Sequence, residues 1–398
     1  MPSVRSNIRS SVNKIGKKRS KLVIEFVIVV AIALALMTVV PGALNALGQS
    51  FRVGLLGRFM ALAIAALGID LIWGYTGILS LGHGLFFALG GYALAMHLQM
   101  QLPPGATGKA VPDFLVLYGV TDVPWLWKPF ESFPFTMLAI VLLPTVVAAI
   151  LGYLVFRNRI RGVYFSILTQ AALIVFFNFF NGQQKLINGT NGLKTDTTYF
   201  FGQLVSSPMV QANFYYLTIV ALALAYGLCR WLTSDRFGTL LLAIRDDEPR
   251  VRFTGYDPTV FKVLVFAVSA GLAGVAGALY TVQSSIITPK AMDIAFSIEM
   301  VIWVAVGGRG TLVGAVFGTV LVNFAKSLLS EQFPAFWLFL QGALFLAVVT
   351  VLPDGFIGWF KTSGLEVWRM VTGKTQISTY PSLETNPEQD YERETVER

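Results

Sequence analysis

Apolar residues along this chain come in long blocks, covering roughly 22–40, 51–73, 77–99, 134–156, 162–180, 214–233, 260–282, 294–306, 311–329 and 336–352. Most blocks approach the ~20 residues that a helix needs to cross ~30 Å of hydrocarbon. The pattern therefore predicts an all-α polytopic membrane protein with about ten transmembrane helices. Two blocks depart from the ideal: residues 294–306 are short for a span, and 77–99 are rich in glycine, so both are candidates for broken or re-entrant helices.

The polar residues divide the chain into a basic leader, 1–21, a membrane domain, 22–358, and a tail, 359–398, with few apolar residues and an expectation of disorder. Leader and first block together resemble a secretory signal, but 22–40 exceeds the ~7 to 15 apolar residues of a signal core, so an uncleaved first helix is expected. Alternating the spans from a cytoplasmic N-terminus places Arg157, Arg159, Arg161, Arg236, Arg245, Arg250, Arg252 and Arg309 inside, with the C-terminus. Only Lys109, Lys128, Lys185, Lys194 and Lys290 then fall in the outer loops.

Composition agrees, with 55% hydrophobic and 13% charged residues against the ~25% charge of soluble domains. The net charge of +8 is accounted for by the inside loops, and no nucleic-acid partner is implied. The single cysteine, Cys229, excludes a disulfide framework and a cysteine zinc site. With two histidines and no acidic cluster at ligand spacing, no metal is expected. Gly373-Lys374-Thr375 ends like a phosphate-binding loop, yet Trp368 stands where that motif needs glycine. No cofactor is expected on this chain.

Gly271, Gly274 and Gly277 recur every third residue, and Gly310, Gly314 and Gly318 every fourth, which predicts close helix packing. Asp70 and His83 flank one tight turn and are expected to be hydrated near the cytoplasmic interface. Between two spans, 234–258 reads as a short cytoplasmic helix, started by Ser234 or Asp235 and ended by Gly255 and Pro258. Its apolar face of Leu240, Leu241 and Ile244 and its charged end, Arg245-Asp246-Asp247-Glu248, suit docking to a soluble partner. A glutamate inside a span, Glu299, is a functional-site hypothesis by default.

At this point the residues resemble a known family. Arg236-Phe237-Gly238-Thr239, Ala243-Ile244-Arg245-Asp246-Asp247-Glu248 and Gly255-Tyr256-Asp257 are similar to the coupling loop of ATP-binding-cassette importer permeases of the branched-chain amino-acid group. Trp73-Gly74-Tyr75-Thr76-Gly77, Ser80-Leu81-Gly82-His83-Gly84, Thr190-Asn191-Gly192-Leu193 and Ser269-Ala270-Gly271-Leu272-Ala273-Gly274 extend the likeness over most of 55–358. Within the group, Gly68 to Trp73, Tyr164 to Gln170 and Ser297 to Trp303 resemble the urea-importer permease more than the amino-acid permeases. Asn188-Gly189-Thr190 departs from the group's more glycine-rich outer loop, and the tail has no counterpart.

The resemblance implies a multi-pass subunit of the bacterial inner membrane that carries out no covalent chemistry. It also implies a second homologous permease, two cytoplasmic ATPases that use ATP, and an extracytoplasmic solute-binding protein as partners. Arg236, Gly238, Ile244, Arg245, Asp246, Asp247, Glu248 and Gly255 would couple to the ATPases. Gln170, Glu299, Thr169, Ser166 and Trp303 would line the solute path, where uncharged polar groups and acceptors suit the four N–H donors and one carbonyl of urea. A branched-chain amino-acid or short-amide permease and a passive urea or solute channel are the alternatives, and a membrane scaffold is a third.

Overall fold

The computed structural model describes residues 25, 27–44, 46, 48, 51–103, 111–120, 122–160 and 162–333, with isolated positions between 339 and 356. The leader, most of the block 336–352 and the tail lie outside the described residues. The helices are α1 (Val27–Leu44), α2 (Phe51–Thr76), α3 (His83–Gln99), α4 (Asp113–Leu117), α5 (Phe133–Arg157), α6 (Val163–Gly182), α7 (Gln184–Ile187), α8 (Pro208–Ser234), α9 (Arg236–Asp246), α10 (Glu248–Phe253), α11 (Pro258–Ser284), α12 (Ile294–Gly307) and α13 (Leu312–Gln332). Among the described residues, seven of them, α1, α2, α5, α6, α8, α11 and α13, are long and apolar enough to cross a membrane. Of the other three expected blocks, 77–99 and 294–306 hold the shorter helices α3 and α12, and 336–352 lies mostly outside the described residues. At 17 and 14 residues, α3 and α12 reach only ~26 and ~21 Å at 1.5 Å per residue.

Those two short helices are the helical parts of broken spans. His83, at the start of α3, has Nε2 2.7 Å from Ser269 Oγ, and that hydroxyl donates to Gly68 O at 2.5 Å. Gly68 lies eight residues before the end of α2, so α3 begins ~12 Å above that end. The intervening 77–82 is non-helical. Its backbone is satisfied by α6: Ser166 Oγ donates to Leu79 O at 2.6 Å, and Leu81 N donates to Thr169 Oγ1 at 3.2 Å. Irregular backbone at membrane depth is tolerated under such cover. α12 begins at the same level, because Gly84 N donates to Ser297 Oγ at 3.0 Å. The two broken spans therefore meet N-terminus to N-terminus.

α2, α3 and α11 form the centre of the bundle, with α11 packed on α2, α3 and α5. The glycine repeats make this approach possible. A Cβ on Gly277 would collide with Phe87 O, one on Gly274 with Ile140 O, and one on Gly318 with Trp303 O. At one end of the bundle β1 (Leu193–Lys194) pairs antiparallel with β4 (Ile286–Ile287), and β2 (Tyr199–Phe200) with β3 (Gln203–Leu204). The opposite end carries α9, α10 and the turn between α12 and α13.

Asp70 and His83 do not pair and do not lie at a hydrated surface: both are fully buried. Asp70 Oδ1 accepts from Gly310 N at 2.6 Å, joining α2 to the α12–α13 turn. His83 is instead edge-packed against Phe86 and Phe266.

Candidate functional site

Four helices line an open cavity of about 210 Å³, with Arg58 of α2, Tyr280 of α11, Glu299 and Trp303 of α12, and Asn323 and Lys326 of α13 in its wall beside the apolar Leu55, Phe59, Leu62 and Phe296. Glu299 is 7% exposed and accepts two hydrogen bonds from Lys326 Nζ, at 2.7 and 2.8 Å. Lys326 is 38% exposed, so the pair is half-solvated at the lysine and dry at the carboxylate. A charge removed from water is tolerated only when paired and hydrogen-bonded, and Lys326 does both for Glu299. Arg58 Nε and Trp303 Nε1 are buried without a hydrogen-bond partner. Buried donors are rarely left so, and both residues belong to the wall that holds the carboxylate.

Of the expected path residues, the structure brings Glu299 and Trp303 together and leaves the other three elsewhere. Ser166 and Thr169 hold the backbone of 77–82, as described above. Gln170 is half-buried on the same helix and is not in the wall of this cavity. Sequence reasoning missed Arg58, Asn323 and Lys326. Lys326 carried the same signal as Glu299, an ionisable residue inside an apolar block.

The expected single helix at 234–258 is two. Asp247 leaves helical conformation (φ −155°, ψ 90°) and its carboxylate caps α10, accepting from Arg250 N at 3.2 Å. Pro249, in the first turn of α10, has no N–H to give the Arg245 carbonyl and its ring opposes a helix continuing through it, so α9 and α10 form an elbow. Gly238 packs so tightly on the end of α8 that a Cβ would meet Thr233 O, whereas exposed Gly255 turns the chain at φ +88°. Leu241 and Ile244 are buried. Asp246 is 72% exposed and Arg250 85%, and Arg236 is exposed. Glu248 instead turns back into the bundle and is buried, whereas Arg245, exposed and 3.5 Å from Asp246, reaches back to Gly74 O. Asp257 starts α11, and the backbone N–H of Thr259 holds its carboxyl below the usual range.

The described residues thus form a helical bundle with seven membrane-length helices, a cavity lined by charged side chains and an amphipathic elbow at one end. The chain belongs to the family described as branched-chain amino acid transport system / permease component, which matches residues 51–349. It is 24% identical over 319 residues to the high-affinity branched-chain amino acid transport system permease protein LivM of Salmonella typhimurium, covering 75% of this chain and 68% of that one. It is 24% identical over 322 residues to the probable branched-chain amino acid transport permease protein LivM of Methanocaldococcus jannaschii, covering 74% and 89%. The ribose import permease protein RbsC of Haemophilus influenzae is 21% identical over 227 residues, covering 55% and 68%. No solved structure matches the chain.

Proposed function

We propose that this chain is the translocating subunit of an ATP-driven urea importer. The Glu299–Lys326 pair in a cavity that also holds Arg58, Trp303 and Asn323 carries the reading. Urea needs acceptors for four N–H groups and a donor for its carbonyl. Glu299 and the Asn323 amide oxygen supply acceptors, and Arg58, Trp303 and Lys326 supply donors, within a space suited to a small solute. The resemblance of Gly68 to Trp73 and Ser297 to Trp303 to the urea-importer permease adds to this.

In this reading the α9–α10 elbow faces the cytoplasm of a bacterial cell and docks on ATPase subunits, which hydrolyse the ATP. A second, similar permease completes the path, and an extracytoplasmic binding protein delivers solute at the strand end. The chain itself breaks no covalent bond.

A second reading is favoured by two observations. The cavity holds two cations, Arg58 and Lys326, against one carboxylate, which suits an anionic group, and the relatives are named for branched-chain amino acids. Proteoliposomes containing the whole importer decide between the two. ATP-dependent accumulation of labelled urea, undiminished by excess leucine, is the expected result. Accumulation of leucine without urea would refute the proposal, and ATP-independent urea flux would make the protein a channel.

A further inference from the structure

The last turn of α2 is capped by a residue from the elbow. Carbonyls in the final turn of a helix lack partners within it, and Gly74 O accepts from Arg245 Nη1 at 2.8 Å. A cation there also meets the negative end of the helix dipole. The Arg245 stem lies on Gly77, where the chain turns at φ +74° and a Cβ would stand 2.9 Å from Arg245 Cγ. The α12–α13 turn closes on the same point, since a Cβ on Gly74 would lie 2.6 Å from Gly310 N, the group that donates to Asp70. On the other arm of the elbow, Glu248 of α10 and Lys262 of α11 form an ion pair at 2.5 Å, with side chains 9% and 7% exposed. Arg252 adds a second cation to Glu248 at 2.9 Å.

We infer that Arg245 and Glu248 are positioning residues that carry movement of the elbow into the cavity wall, Arg245 through α2 and Glu248 through α11, and that neither is an ATPase contact. The inference rests on the ATP-driven reading and not on urea as the solute. α2 bears Arg58 and α11 bears Tyr280 on the cavity, so a shift of the elbow moves two of its walls as rigid levers. Outward-facing Asp246, Arg236 and Arg250 are left for the soluble partner.

The test uses the assembled importer with Cys229 replaced and Leu55→Cys placed in the cavity wall. In the parent, the rate at which this thiol reacts with an impermeant maleimide changes on addition of ATP and vanadate. Arg245→Ala is expected to shrink that change ~10-fold or more, as removal of one charged hydrogen bond from a two-state balance would. ATPase co-purification and basal hydrolysis should persist. Arg245→Lys, which keeps a donor and a charge at the helix end, should restore much of the response, whereas Asp246→Lys should release the ATPases. An undiminished response in Arg245→Ala, or release of the ATPases to the extent seen in Asp246→Lys, overturns the inference. A parent whose Leu55→Cys reactivity ignores ATP overturns the ATP-driven reading beneath it.

Discussion

Lys326→Met should be the most damaging single change at the cavity, and the unequal burial of its ion pair is the reason. Lys326 supplies both hydrogen bonds that Glu299 receives among the described residues. Removing it strands a carboxylate that is 7% exposed, and breaking a buried pair this way costs ~3–5 kcal/mol. The reverse change is milder. Glu299→Gln keeps an acceptor for Lys326, which is 38% exposed and reaches water, so the loss is that of one net hydrogen bond, ~1 kcal/mol. A gap of ~2 kcal/mol or more is ~30-fold in an equilibrium constant. The double variant, Glu299→Gln with Lys326→Met, carries no buried charge at the pair and should recover most of the loss. Thermal unfolding of the detergent-purified subunit, followed by size-exclusion fluorescence, reads the order directly: parent, Glu299→Gln, double variant, Lys326→Met. If Glu299→Gln unfolds as early as Lys326→Met, or if the double variant gains nothing over Lys326→Met, the carboxylate is not held as described.

Uptake by Glu299→Leu, normalised to ATPase content, should fall ~5- to 150-fold, the effect of losing an acceptor worth ~1–3 kcal/mol on a limiting barrier; parental uptake would remove Glu299 from the path. Gly277→Ala forces a Cβ onto Phe87 O and should destabilise by ~1–3 kcal/mol, whereas Gly227→Ala, with open space around it, should be neutral or stabilising in the same melting assay. Cysteine at exposed Lys194 should react with an impermeant reagent in intact cells and cysteine at exposed Arg159 should not, which checks the orientation assigned to the two ends. Asp257 has its pKa lowered by the Thr259 N–H, so its capping contribution is fully present above the unfolded value and is lost as pH falls through the folded one. Asp257→Asn should therefore lower stability slightly at neutral pH and flatten the acid side of the profile, the variant and the parent converging below pH ~4.

The long spans were legible because hydropathy is a local property: α5, α6, α8, α11 and α13 overlap the apolar blocks almost end to end. The blocks 77–99 and 294–306 announced trouble through glycine and length. Where their helices start was not legible, because the depth of His83 is set by Ser269 and that of α12 by Gly84, contacts with no sequence neighbour. The elbow at Asp247 could have been read from Pro249. Glu299 showed itself as a charge within a span, but its neighbours in space come from α2 and α13, and only their fold identifies Arg58 and Lys326 as company. Ser166 and Thr169 were recognisable as polar residues in an apolar block. That their hydroxyls serve the backbone of another segment followed only from the path of 77–82.

That dependence of 77–82 on distant partners has a consequence for biogenesis. Thr169 is separated from Leu81 by 88 residues, and Ser297 from Gly84 by 213. At ~5–20 residues per second of synthesis, the first partner leaves the ribosome ~4–18 s after the segment it serves, and the second ~11–43 s after. Until those partners are made, the N–H groups of Leu81 and Gly84 lack the hydroxyls that accept from them in the folded bundle. The nascent α2–α3 pair must wait in a wet or protein-lined place, and the two broken spans close on each other only once α12 has been made.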